Sequence, residues 1–167
     1  MDSFADWLLA RASQDPQCDP LIQRLTLKPS KEVLSYYGCD VNGFRFHTES
    51  HAEHRTTNNS GVWVKGETEG DQNYDFYGIL QDVVQLQYPG PDNKVVLFKC
   101  RWFDIEKGVR VDKKHGLVEV KHTSVLRTDE PFILACQASQ VRFQVLSKRY
   151  YSYLSCSIVS PANTVTT

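Results

Sequence analysis

The stretch Lys94-Val95-Val96-Leu97-Phe98-Lys99-Cys100-Arg101-Trp102-Phe103-Asp104 decides the fold. It is rich in β-branched and aromatic residues, and it contains neither Gly nor Pro. When alternate residues are grouped, one face is wholly apolar and the other carries Lys99 and Arg101. The apolar face comprises Val96, Phe98, Cys100 and Trp102. This alternation predicts a half-buried antiparallel strand.

A second long strand is predicted just before it, over residues 74–88, and the two are separated by Pro89-Gly90-Pro91-Asp92-Asn93. Pro, Gly and Asn favour a turn, so the two strands should form a hairpin. Another hairpin is predicted around Asn42-Gly43, because this dipeptide suits a type I′ turn between residues 32–41 and 44–48. Further strands are predicted at residues 61–66, 108–112, 117–121, 132–136 and 141–146, and a polar loop at residues 49–60.

The first thirty residues have helical spacing instead. Phe4, Trp7 and Leu8 predict a helix over residues 3–13, and Asp19-Pro20 should begin a second, short one. The predicted fold class is therefore mainly β with N-terminal helices (α+β). Its sheet is expected to be a strongly bent antiparallel sheet or a small SH3/BAH-like β-barrel, since closure removes exposed edges. The expected organisation is a helical segment (1–30), a β-rich domain (31–146) and a flexible tail (147–167).

Composition is that of an ordinary globular domain, with 167 residues, 41% of them hydrophobic and 23% charged. The five cysteines are scattered without a CxxC pair, which predicts free thiols in a reducing compartment. No apolar run reaches membrane-spanning length, and acidic residues stand where a signal peptide needs positive charge. We therefore expect a nuclear or cytoplasmic location and no membrane partner.

Charge is distributed unevenly along the chain. Residues 94–127 contain 9 Lys and Arg against 4 Asp and Glu, whereas residues 1–93 contain 7 against 14. A local basic block could attract phosphate, so DNA contact through residues 94–127 is one expectation. The simpler interpretation, which the near-neutral net charge of −1 favours, is that these are outward residues of exposed strands.

Two patterns suggest metal chemistry. His47-x-x-x-His51-x-x-His54, with Cys39 upstream, offers zinc ligands, but the spacing fits no established site and solvated histidines are favoured. Four aspartates near predicted strand ends could in principle converge on Mg²⁺: Asp75, Asp82, Asp104 and Asp112. Cys100 should be buried and inert, and no nucleophile motif is present. The sequence therefore predicts no enzyme, no cofactor and no metal.

Several blocks taken together resemble a plant domain of unknown function that is associated with CACTA (En/Spm-type) transposon proteins. The resemblance covers roughly residues 4–145. It is carried by residues 36–38, 42–48, 59–62, 64–67, 76–80, 95–100, 102–104, 111–113, 131–135, 137–138 and 140–141. It implies a context, transposon biology in a plant, and no particular reaction. A looser similarity links Tyr77-Gly78, Arg101-Trp102-Phe103 and Phe132-Ile133-Leu134 to BAH and SH3-like barrels.

These observations favour a non-enzymatic, transposon-derived interaction module that binds protein or chromatin. Aromatic residues on strands can stack bases or hold a methylated lysine, and Tyr37 and Tyr77, each followed by Gly, are expected to be partly exposed. The candidate binding residues are Tyr37, Tyr77, Arg101, Lys107, Arg110, Lys113 and Lys114. Two alternatives are a metal-dependent nuclease or transposase accessory domain and a degenerate transposon fragment without function.

Overall fold

The computed structural model describes residues 4–53, 58–66, 68–69, 72–73, 75–112, 117–128, 130–145 and 153–158. It divides into two compact units. One comprises Met1–Ser35 and Val84–Val96, and the other comprises Tyr36–Val83 and Leu97–Thr167.

The first unit contains both predicted helices, α1 (Phe4–Gln14) and α2 (Pro20–Leu25), and Pro20 is the first helical residue as expected. Its turn at residues 89–93 uses positive φ at Gly90 and Asp92. The Ser30 N–H donates a hydrogen bond to the Gln87 carbonyl at 2.8 Å. This bond connects the segment after α2 to the strand that precedes the turn. None of the helices in the described residues is long and apolar enough to cross a membrane.

The remaining elements are mostly strands. In chain order they are β1 (Leu34–Tyr36), β2 (Gly38–Val41), β3 (Phe44–His47), α3 (Glu49–Ala52), β4 (Gly61–Val64), β5 (Thr68–Glu69), β6 (Gln72–Asn73), β7 (Phe76–Gln87), β8 (Lys94–Trp102), α4 (Ile105–Gly108), β9 (Val109–Asp112), β10 (Leu117–Lys121), β11 (Phe132–Leu134), a 3₁₀ turn (Ala135–Gln137), β12 (Ser139–Val145) and β13 (Tyr153–Ile158). The prediction of a mainly β fold with N-terminal helices is confirmed.

Strands β7 and β8 form the predicted long hairpin and supply residues to both units. The main sheet has the order β11-β8-β7-β4-β12-β13-β10-β9, and β1 also pairs with β7. On β8, Phe98, Cys100 and Trp102 are buried, as the alternation predicted, while Lys99 is exposed. The hydrophobic core of the second unit contains Tyr77, Ile79, Phe103, Val120, Val141 and Cys156.

The sheet is open, so the barrel alternative is wrong. Its end strands are β11 and β9, and no pairing joins them in the described part of the chain. The expected flexible tail is also wrong for Tyr153–Ile158, because this segment forms β13 and lies between β12 and β10. Sequence periodicity does not reveal this pairing, since β13 is stabilised by ladders on both sides and by burial of Cys156.

Two short helices occur where other structure was predicted. Residues 49–52 form α3 inside the expected loop, and residues 105–108 form α4 just before β9. Asp104 begins α4 because its side chain accepts hydrogen bonds from the N–H groups of Glu106 and Lys107, both at 3.0 Å. This cap ends the β8 strand and turns the chain toward β9.

The Asn42-Gly43 turn has the predicted geometry, with φ of 53° and 77°. We expect Gly43→Val to destabilise the protein by at least about 1–2 kcal/mol, because a β-branched residue is strained at positive φ. Gly43→Asn is the matched control, since Asn tolerates this conformation. Urea unfolding of the two variants measures the difference, and equal midpoints would contradict the assigned turn.

Trp102 lies in the core with 5% of its surface exposed. Trp102→Ala should therefore lower the free energy of unfolding by about 3–5 kcal/mol. Trp7 is 57% exposed, and Trp7→Ala should change stability by less than about 0.5 kcal/mol. Chemical denaturation of both variants compares the two sites, and similar losses would show that Trp102 is not a core residue.

Candidate functional site

Two of the predicted binding residues, Tyr37 and Arg101, both contact α3. The Tyr37 side chain is 71% exposed, and its ring stacks on the His51 imidazole with centroids 5.8 Å apart and an interplanar angle of 21°. Arg101 Nη2 lies 2.8 Å from Glu49 Oε1. We call Tyr37, Glu49, His51 and Arg101 the α3 surface. The expected exposure of Tyr37 is confirmed.

The Arg101 guanidinium is engaged within the protein. Besides the ion pair with Glu49, it lies 6.0 Å from the centre of the Phe103 ring. The second oxygen of Glu49, Oε2, accepts a hydrogen bond from Gln81 Nε2 at 2.6 Å. Glu49 therefore joins α3 to both strands of the long hairpin, and its charge offsets that of Arg101.

The other predicted basic residues are also set among carboxylates. Lys107 is exposed on α4 beside Glu106, and Arg110 is exposed on β9 directly opposite Glu119 of β10. Lys113 and Lys114 lie outside the described residues. The basic block of the sequence thus forms, where described, a surface of alternating sign.

The expectation that Tyr77 is partly exposed is wrong. Only 4% of Tyr77 is exposed, and the pKa of its phenol is raised, chiefly by burial. The following glycine serves packing, because a Cβ at Gly78 would lie 2.6 Å from Trp102 Cε3. Gly78 therefore admits the Trp102 ring and not a ligand.

The histidine pattern places two rings close together. The His47 and His51 centroids are 5.2 Å apart, and Cys39 is half-buried on β2. His54 lies outside the described residues. Among the residues that the structure describes, no three His, Cys, Asp or Glu side chains are grouped to hold a metal ion.

The aspartates considered for Mg²⁺ have separate surroundings. Asp104 caps α4, and Asp75 Oδ1 accepts a hydrogen bond from the Gly66 N–H at 3.1 Å. Asp82 lies on β7 and Asp112 ends β9. Among the described residues, these carboxylates are therefore not grouped around one metal position.

The second unit contains a cleft of about 410 Å³ that the sequence interpretation missed. Its floor crosses four neighbouring strands in the order β11-β8-β7-β4, which contribute Ile133, Trp102, Phe76 and Val64. The Phe76 and Trp102 rings meet edge to face, 6.2 Å apart at 73°. Leu126 completes the apolar lining.

The rim of this cleft is polar. It is formed by Lys65 and Gly66 after β4, by Thr128 and Glu130 before β11, and by Gln137 after it. An apolar floor with a few polar groups around it is the usual anatomy of a ligand site, and the volume falls in the usual range. Lys65 and Glu130 place opposite charges at the two ends of the four-strand floor.

The sequence contained half of the signal for this cleft. The apolar alternation on β8 identified Trp102 as a buried residue, and Ile133 lay on the strand predicted at residues 132–136. The approach of Leu126, Thr128 and Glu130 to these strands is a tertiary feature that sequence periodicity does not report. The lining residues come from segments that are more than seventy positions apart, Val64 and Gln137 being the extremes.

The thiols separate into reactive and protected classes. Burial raises the pKa of both Cys100 and Cys156 to about 12, whereas Cys136 is exposed. We expect iodoacetamide at neutral pH to modify Cys136 and to spare Cys100 and Cys156 until the protein unfolds. Peptide mass mapping with and without denaturant provides the measurement and its control. Rapid native-state labelling of Cys156 would contradict the burial of β13.

Comparison with known proteins finds a family model that matches part of the chain. No curated protein and no solved structure matches the chain. The matched segment begins within β7 and contains β8, β11 and β12, so it supplies Trp102, Ile133 and most of the cleft rim, while Val64 and Phe76 lie before it. Residues 84–149 match the family model described as a domain of unknown function, DUF4216.

Proposed function

We propose that this protein is a non-enzymatic interaction module that binds a protein partner in the cleft over Trp102 and Phe76. The observation that carries the proposal is the combination of an apolar floor with a polar rim on the main sheet. Four of the five apolar lining residues lie on strands, so the floor is preformed and a ligand would bind without ordering it.

The transposon context deepens the proposal. The resemblance to a domain associated with plant CACTA (En/Spm-type) transposon proteins suggests a partner in the nucleus, either another transposon-encoded protein or a chromatin protein. The family model that residues 84–149 match is described as a domain of unknown function and names no transposon. The competing proposal of a degenerate, functionless fragment predicts that no transcript of the gene accumulates.

DNA binding is the second candidate, and it rests on the exposed Lys107 and Arg110. The carboxylates of Glu49 and Glu119 beside Arg101 and Arg110 weigh against a strong phosphate surface. A nuclease activity would need converging carboxylates, and the aspartates of the described residues stand apart.

Filling the cleft tests the main proposal. Thr128 is an exposed rim residue, so Thr128→Trp should fold normally and obstruct the floor. Peptides selected from a random displayed library by the wild-type chain should bind this variant at least about tenfold more weakly, as expected when a central pocket contact is lost. Thr123→Trp, at an exposed threonine that does not line the cleft, is the matched control and should bind as wild type.

The same protein should be titrated with labelled duplex and single-stranded DNA at two salt concentrations, using fluorescence anisotropy. We expect weak or no binding at either salt. Tight binding that falls steeply with salt, and that Thr128→Trp leaves unchanged, would overturn the protein-binding proposal in favour of DNA.

A further inference from the structure

In the part of the chain that the structure describes, the strand β11 is a free edge of the main sheet, and it borders the cleft. It pairs with β8 on one side, and it is the first strand in the sheet order. Three residues of the cleft lining, Glu130, Ile133 and Gln137, lie in β11 or directly beside it. A chain that approached this edge would therefore reach the cleft as well.

Hydrogen bonding defines which backbone groups face outward. The Cys100 N–H donates to the Pro131 carbonyl at 2.9 Å, so Pro131 points toward β8. The direction of the backbone N–H and C=O groups alternates along an antiparallel strand. The backbone groups of Ile133 therefore also face β8, and those of Phe132 and Leu134 face the free edge. The Leu134 N–H confirms this direction, since it donates to the Gln137 side-chain oxygen at 3.2 Å.

The side chains at this edge are unusual for exposed positions. Phe132 is 47% exposed and Leu134 is 42% exposed, and the two lie on the same face of β11. Strand β11 contains no charged residue, although charged side chains commonly protect free edges. Charge appears only beside it, where Glu130 is exposed at the cleft rim.

We propose that the partner is an extended peptide that pairs with β11 as an additional strand, an inference that rests on the proposed function of the cleft. The Phe132 N–H and carbonyl supply the backbone pairing, while Phe132 and Leu134 pack against apolar residues of one peptide face. An apolar residue of the other face enters the cleft beside Ile133 and Trp102. A basic residue of the peptide pairs with Glu130, whose carboxylate provides the charge complementarity.

The backbone contribution is tested with two substitutions at one position. Phe132→Pro removes the outward N–H without removing a hydrogen bond to β8, and proline is tolerated at such edge positions. Phe132→Ala removes the same aromatic ring and keeps the N–H. The probe is a fluorescein-labelled peptide selected from the displayed library by the wild-type chain. Phe132→Pro should bind it about tenfold more weakly than Phe132→Ala, as expected for loss of a backbone hydrogen bond.

A second measurement uses the probe itself. Single N-methylation along the selected peptide should abolish binding at every second position, because only alternate amides of an added strand face β11. Uniform tolerance of N-methylation, or equal binding by Phe132→Pro and Phe132→Ala, would overturn strand addition. If Thr128→Trp still weakened binding of the same peptide, the proposal that the cleft binds a partner would stand without strand addition.

Two further outcomes count against the inference. If the library yields no peptide whose binding Thr128→Trp weakens, both the cleft proposal and the edge proposal are overturned. A wild-type chain that is dimeric in light scattering, and becomes monomeric with Phe132→Pro, would assign the β11 edge to a second copy of the chain instead of a peptide. We expect no change in oligomeric state with this substitution.

Discussion

The close contact between Gly78 and Trp102 constrains the rest of the second unit. The indole lies over β7 at a position where a Cβ would come within 2.6 Å of the ring, so only glycine permits the approach. The contact directs Trp102 to one face of the hairpin and leaves Tyr77 and Phe103 on the other, where they enter the core with Val141. Strand β7 is therefore buried on both faces over residues 77–80.

The same packing creates the cleft. Phe76 and Trp102 meet edge to face, and this geometry leaves a concave surface between β11 and β4. Because both rings are fixed by the strands that carry them, the concavity does not depend on a mobile loop for its floor. On the opposite face of β8 from Trp102, the charge of Arg101 is neutralised by Glu49, which comes from a distant segment of the sequence. The apolar cleft and the paired charges thus occupy two faces of one hairpin.

Local signals predicted much of this fold. Alternation gave β7 and β8, Asn42-Gly43 gave the first hairpin, and Asp19-Pro20 gave the start of α2, because each depends on neighbouring residues. The larger errors involve distant contacts. The strand β13 depends on ladders with β10 and β12, and the burial of Tyr77 depends on the core that these strands complete. One local signal was overlooked, since Asp104 was available in the sequence as the cap of α4.

An open sheet has two edges, and here they differ in chemistry. At one end, β9 carries the charged residues Arg110 and Asp112, which discourage pairing with another chain. At the other end, β11 carries none, and its protection consists of its short length and the side chain of Gln137 on the Leu134 N–H. A side-chain amide is easily displaced by a backbone carbonyl, because one neutral hydrogen bond replaces another at little net cost. The less protected edge is also the one that borders the apolar cleft, and a partner that used both would gain backbone pairing and side-chain burial from a single short segment.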